Sequence, residues 1–143
     1  MRKIFFALIV VLFATSCGSA QLLSTCENVT AFDKSRTPDI GIVINSGDAE
    51  TVWNGLRLAI AAQSKGDTVV IFVIGKAEDI FMHDSSKFDV PKTSEQFVAA
   101  GGDIYACATC AKLRHTENVQ MCTITSINDL YEIVKRSKKI VSF

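Results

Sequence analysis

Apolar and polar positions divide the chain into three regimes. Ile4 to Ala14 is an unbroken apolar run of eleven residues. Gly18 to Thr37 is polar and mixed, with no sustained period. From Asp39 onward, short apolar runs alternate with helical spacings. Ile40 to Ile44 and Thr68 to Ile74 are near-continuous apolar stretches, the pattern of parallel strands buried on both faces. Between them Val52, Leu56, Ala59 and Ile60 recur at i, i+4, i+7, i+8, which predicts an amphipathic helix. Asp48 is placed to cap its start, and Lys65-Gly66 to close it with a basic last turn. Glu78 to Met82 reads as a short helix. His83 to Lys92, with Pro91, reads as a surface excursion. Thr93-Ser94-Glu95-Gln96 predicts a capping box for a helix ending at Gly101-Gly102.

The second half repeats the alternation. Asp103 to Ala106 is a short strand with Cys107 just past its end. Ala111 to Thr116 predicts a helical turn, and Gln120 to Ile124 a fourth strand. Ser126 to Asp129 again has the form of a capping box. Ile127, Leu130, Tyr131 and Val134 follow at helical spacing, with Lys135, Arg136 and Lys138 suited to the helix end. Ile140 to Phe143 is the last strand. About five strands alternating with helices make an α/β fold, a mostly parallel sheet with helices on both faces. In such sheets chemistry collects at the carboxyl ends of strands. Two loops therefore stand out, Asn45 to Asp48 and Cys107 to Cys110.

The opening run is too short for a membrane span of about 20 residues. Preceded by Arg2 and Lys3, it has the form of a signal peptide over residues 1–16. Ala14-Thr15-Ser16-Cys17 resembles a bacterial lipobox, with Cys17 as the lipidated residue. The alternative is ordinary cleavage after residue 20. Either way the domain, residues 38–143, is expected outside the cytoplasm, in the periplasm or cell envelope. Residues 17–37 would be its linker, with membrane contact only through the N-terminal lipid.

Length and charge narrow the picture further. The chain has 143 residues, 48% hydrophobic, with 15 basic and 15 acidic side chains. One ordinary domain fits this length. Loss of Arg2 and Lys3 on processing leaves 13 basic against 15 acidic, a net −2. The basic residues are scattered, so no nucleic-acid partner is expected. Nucleotide-binding glycine motifs and a hydrolase nucleophile elbow are absent, and no cofactor is expected. Trp53 lies beside the core stripe of its helix and reads as a packing residue.

Candidate chemistry lies in the cysteines. Cys107-Ala108-Thr109-Cys110 is a C-x-x-C at a strand end leading toward a helical turn. Helix-start N–H groups, with Lys112 and Arg114 nearby, would stabilise a thiolate fit for persulfide transfer or disulfide exchange. A structural pair of thiols or an ordinary disulfide is the plainer reading. Cys107, Cys110, His115 and Cys122, spaced C-x2-C-x4-H-x6-C, also have the ligand types of a zinc site. Three function classes follow: a sulfur-handling thiol protein, a non-catalytic binding or assembly module held by a disulfide or zinc, and a thiol–disulfide oxidoreductase.

Gly41-Ile42-Val43-Ile44-Asn45-Ser46-Gly47-Asp48 and Glu50-Thr51-Val52-Trp53-Asn54-Gly55-Leu56-Arg57 resemble the opening of the DsrE/DsrF-like family. Ala100 to Cys110 resembles the cysteine-bearing segment of its small members, and Asp129 to Lys135 a later part. The resemblance implies a three-layer α/β/α fold, frequent homo-oligomers, and sulfur relay through a cysteine persulfide. Cys107 would match the acceptor cysteine, with Cys110 a nearby second thiol. A donor or acceptor protein, or a small persulfide, would be its partner. Relay members of the family are cytoplasmic and many rely on one cysteine here, whereas this chain has an export segment and a dithiol.

Overall fold

The computed structural model describes residues 31–82, 87–116 and 121–143. Among the described residues five strands, β1 (Ile40–Ile44), β2 (Val69–Val73), β3 (Asp103–Cys107), β4 (Thr123–Thr125) and β5 (Lys139–Ser142), form one sheet. Their order is β4-β3-β2-β1-β5, and every pairing is parallel. The helices are α1 (Ala49–Gln63), α2 (Ala77–Met82), α3 (Val90–Ala99), α4 (Ala108–Arg114) and α5 (Ile127–Arg136). The first four strands step one way across the sheet, and β5 returns beside β1. The expected α/β fold is what the described residues form, and the sheet expected to be mostly parallel is parallel at every pairing.

Alternation along the strands divides the core into two layers. Ile42, Ile44, Val69, Ile71, Val73, Ile104 and Ala106 face α1, α2 and α3, where Val52, Leu56, Phe81 and Phe97 meet them. Val70, Phe72, Tyr105 and Cys107 point the other way, toward Ile133 of α5. Two helical layers thus enclose the sheet. All five residues of the central β2 are buried, which explains its unbroken apolar sequence. Among the described residues, no helix is long and apolar enough to cross a membrane.

Phe32 completes the second layer. It is buried and meets the Tyr105 ring edge-on, with centroids 5.9 Å apart. Arg36 pairs with Asp103 at the start of β3. The far end of the segment read as a linker therefore packs on the domain. Residues 1–16, read as a signal peptide, and Cys17 lie outside the described residues.

Several element ends differ from the sequence reading. α3 starts at Val90 rather than Thr93. Asp89 caps it by accepting the Lys92 N–H at 3.0 Å, and Pro91 fits the first turn, where no N–H is needed. α4 starts directly after Cys107. α1 ends at Gln63, with Lys65 beyond its last turn, and the chain turns at Gly66 with φ 91°. β4 is three residues long and starts at Thr123; Met121 and Cys122 precede it outside the strand. The capping box of α5 forms as expected. The Asp129 carboxylate accepts the Ser126 N–H at 3.4 Å and its hydroxyl at 3.1 Å, and also takes the Thr125 hydroxyl. Burial raises the Asp129 carboxyl, but these hydrogen bonds outweigh it and hold it below the ordinary carboxylate value. Trp53 is half-buried against the core, with the Arg57 guanidinium 4.5 Å above its ring.

Candidate functional site

Cys107 is the last residue of β3 and the N-cap of α4, so it stands where strand gives way to helix. Cys110 lies in the first turn of α4. Residues three apart at a helix start share a face, and the two thiols are hydrogen-bonded neighbours. Both are free, Cys107 buried and Cys110 half-buried. Beside them, β2 ends at Val73 and the chain turns through Gly75, whose φ of 66° suits glycine. The Gly75 N–H donates to the Cys110 sulfur. The next residues start α2, which carries Glu78 into the same place.

Glu78 is 2% exposed. Its Oε1 accepts the Cys107 N–H at 3.2 Å, and its Oε2 accepts the Thr116 hydroxyl at 3.3 Å. A Glu78 carboxylate oxygen and the Sγ atoms of Cys107 and Cys110 all lie within 4.8 Å of one another. Nothing in the sequence around Glu78 marks it for chemistry. Its one local signal is a place three residues before the buried Phe81 in a short helix, and parallel pairing of β2 with β3 does the rest.

The electrostatics follow from burial. Loss of solvent pushes the Glu78 carboxyl up to about 7, against the pull of its hydrogen bonds from Cys107 and Thr116 and of the Arg114 charge. Burial also raises the Cys110 thiol; the Gly75 N–H opposes this, while Cys107 and Glu78 add to it. The expected relief by positive charge does not reach the thiol in that form. Arg114 pairs with Asp79, and Lys112 is exposed.

The four-residue zinc set is not assembled as a unit. Cys107 and Cys110 come together with Glu78, while His115 and Cys122 lie outside that group. His115 is exposed and ends α4 in the left-handed conformation, φ 57°. Burial pushes the Cys122 thiol up to about 12, with the Glu78 charge adding to it. The other loop singled out, Asn45 to Asp48, is occupied with capping. Asp48 accepts the N–H and hydroxyl of Thr51, and Ser46 Oγ accepts the Asp48 N–H. The arrangement at Cys107 can hold two sulfurs and a carboxyl group in contact range, partly shielded from water, at the end of a rigid sheet.

The model of the DsrE/DsrF-like family matches residues 39–143. A solved structure, that of a conserved protein of unknown function, BT1422, from Bacteroides thetaiotaomicron, superposes with a TM-score of 0.64 at 19% identity. The match covers 73% of this chain and 95% of that one. At this identity the likeness is one of fold. No protein with a curated description matches the chain.

Proposed function

Since the chain belongs to the DsrE/DsrF-like family, we propose that it accepts sulfane sulfur on Cys107, with Cys110 as the resolving thiol. The observation that carries this reading is the contact between the two thiols at the carboxyl end of β3. The Cys107 thiolate attacks the outer sulfur of a donor persulfide, R–S–SH. A sulfur–sulfur bond forms to Cys107, the donor's own bond breaks, and the donor leaves as a thiol. Cys110 can then displace that sulfur as sulfide and close a Cys107–Cys110 disulfide.

Intact mass of the purified protein after exposure to a small persulfide tests it. The protein should first gain one sulfur, mapped to Cys107. It should then become two hydrogens lighter than at the start, with sulfide released. No gain and no sulfide would overturn the reading. Thiol–disulfide exchange is the second reading, supported by the same thiol pair. It would show as reaction with a model disulfide in the absence of sulfane sulfur.

Export is part of the proposal, carried by residues 1–16, with Cys17 as the lipid site. So is self-association. The outer face of α5 leaves Ile127, Tyr131 and Val134 exposed at 55%, 60% and 46%, an apolar stripe at helical spacing that a second copy would cover. Sedimentation should give a mass above that of one chain, and Tyr131→Lys should return it to a monomer. A wild type that sediments as a monomer at micromolar concentration would remove this part.

A further inference from the structure

We infer that Cys107, Cys110 and Glu78 form a zinc site of two thiolates and one carboxylate oxygen, with a fourth position left open. Spacing along the chain offers His115 and Cys122 as the further ligands, whereas the fold brings Glu78 of α2 to the two sulfurs and leaves those two residues outside. Two cysteines three apart match the spacing at which zinc takes a pair of ligands from one turn. A Glu78 oxygen and both Sγ atoms lie within 4.8 Å of one another. Tetrahedral zinc, with bonds of about 2.3 Å to sulfur and about 2.1 Å to oxygen, needs ligand separations of about 3.6–3.8 Å. The set therefore closes by a contraction of about 1 Å, within reach of side-chain torsions.

Charge and burial favour a cation there. Glu78 is 2% exposed and accepts from two neutral donors, the Cys107 N–H and the Thr116 hydroxyl. Among the described residues no cation is hydrogen-bonded to it, and Arg114, whose charge acts on it, is engaged by Asp79. A buried carboxylate of this kind is rare unless it pairs with a cation or coordinates a metal. Outer support is also in place. The two donors orient the carboxylate, and the Gly75 N–H donates to the Cys110 sulfur. Zinc accepts both sulfur and carboxylate oxygen, whereas calcium and magnesium select oxygen alone and cuprous ion selects sulfur. Cys110 is the half-buried member, so the open position faces its side, where water or a small thiol can bind. Both cysteines coordinate as thiolates, and their protons pass to solvent on binding. Zinc on Cys107 and Cys110 blocks persulfide attack and disulfide closure, so metal loading and sulfur uptake exclude one another.

The test is the metal content of the reduced, untagged chain after loading with ZnCl2 and dialysis, read by atomic emission. One zinc per chain is expected for the wild type and none for Cys110→Ser. Affinity, read by competition with a chromogenic chelator, should fall at least about tenfold in Glu78→Gln, since loss of an outer-shell partner alone costs about 10–100-fold. Glutamine still accepts the Cys107 N–H, and circular dichroism checks that the variant is folded. His115→Ala and Cys122→Ala should bind zinc as the wild type does. With Co2+ in place of zinc, the wild type should show charge-transfer absorption scaled to two thiolates, a measure that needs no variant. No bound zinc, unchanged affinity in Glu78→Gln, zinc lost from Cys122→Ala, or cobalt absorption for three thiolates would overturn the site. Zinc binding involves no sulfane sulfur. A chain that holds zinc but takes up no sulfur when metal-free would strike only the sulfur-accepting reading, and the reverse outcome only the zinc site.

Discussion

A Cys107→Ser variant is expected to take up no sulfane sulfur, while Cys110→Ser keeps the sulfur it takes. The two thiols touch, yet their positions differ. Cys107 ends a central strand and is fixed by the Glu78 carboxylate on its N–H, whereas Cys110 sits one turn into a seven-residue helix. On the proposed route Cys110 removes the persulfide by closing a disulfide, which makes the persulfide form transient. Without that second thiol the species one sulfur heavier should accumulate and sulfide release should stop. Without Cys107 neither species should form. Intact mass and sulfide assay over the same time course read all three proteins. Melting temperatures confirm that serine at the buried position has left the fold in place. Wild-type uptake by Cys107→Ser would place the acceptor elsewhere.

Phe72→Ala carries the largest expected loss of stability, about 3–5 kcal/mol for a fully buried phenylalanine. Phe72 lies on the central strand and is 0% exposed. It packs among Phe32, Val70, Tyr105, Cys107 and Ile133. Among the described residues this layer is small, covered by α5, the Phe32 segment, Ile74 and Cys110 of α4, so few neighbours are free to collapse into the gap. A domain of this size is stable by roughly 5–15 kcal/mol, so the variant should melt more than about 10 °C lower. Phe72 pairs with Tyr105, two residues before Cys107, and the loss should also loosen the thiol site. Thermal and urea denaturation provide the measure. A cost below about 1 kcal/mol would mean that the α5 layer is not packed as described.

Much of the architecture was legible because it rests on local signals. The apolar runs at Ile40–Ile44 and Val69–Val73 announce buried parallel strands, and Ser126 with Asp129 marks the start of α5. Pro91 shows the limit of such signals. It reads as a loop marker, yet the same fixed φ suits the first turn of α3. Phe32 stands alone in a polar stretch, and its role appears only when the Tyr105 face of the sheet exists for it to cover. The site divides in the same way. Cys107 and Cys110 were visible by spacing. Glu78 was not, because it precedes Cys107 by 29 residues and a parallel crossover brings the two together. His115 and Cys122 follow Cys110 closely in sequence, but a helix end and an irregular segment take them out of the Glu78–Cys107–Cys110 group.

The borders of the sheet decide how copies of this chain can meet. β4 at one border has three residues, and β5 at the other begins with the exposed Lys139, next to a Lys138 held by Asp39 at 2.7 Å. Short and lysine-flanked borders resist strand-to-strand growth between molecules. Open-ended β stacking of the described domain is thereby disfavoured at both borders, and the self-association proposed above would run through helical surfaces instead.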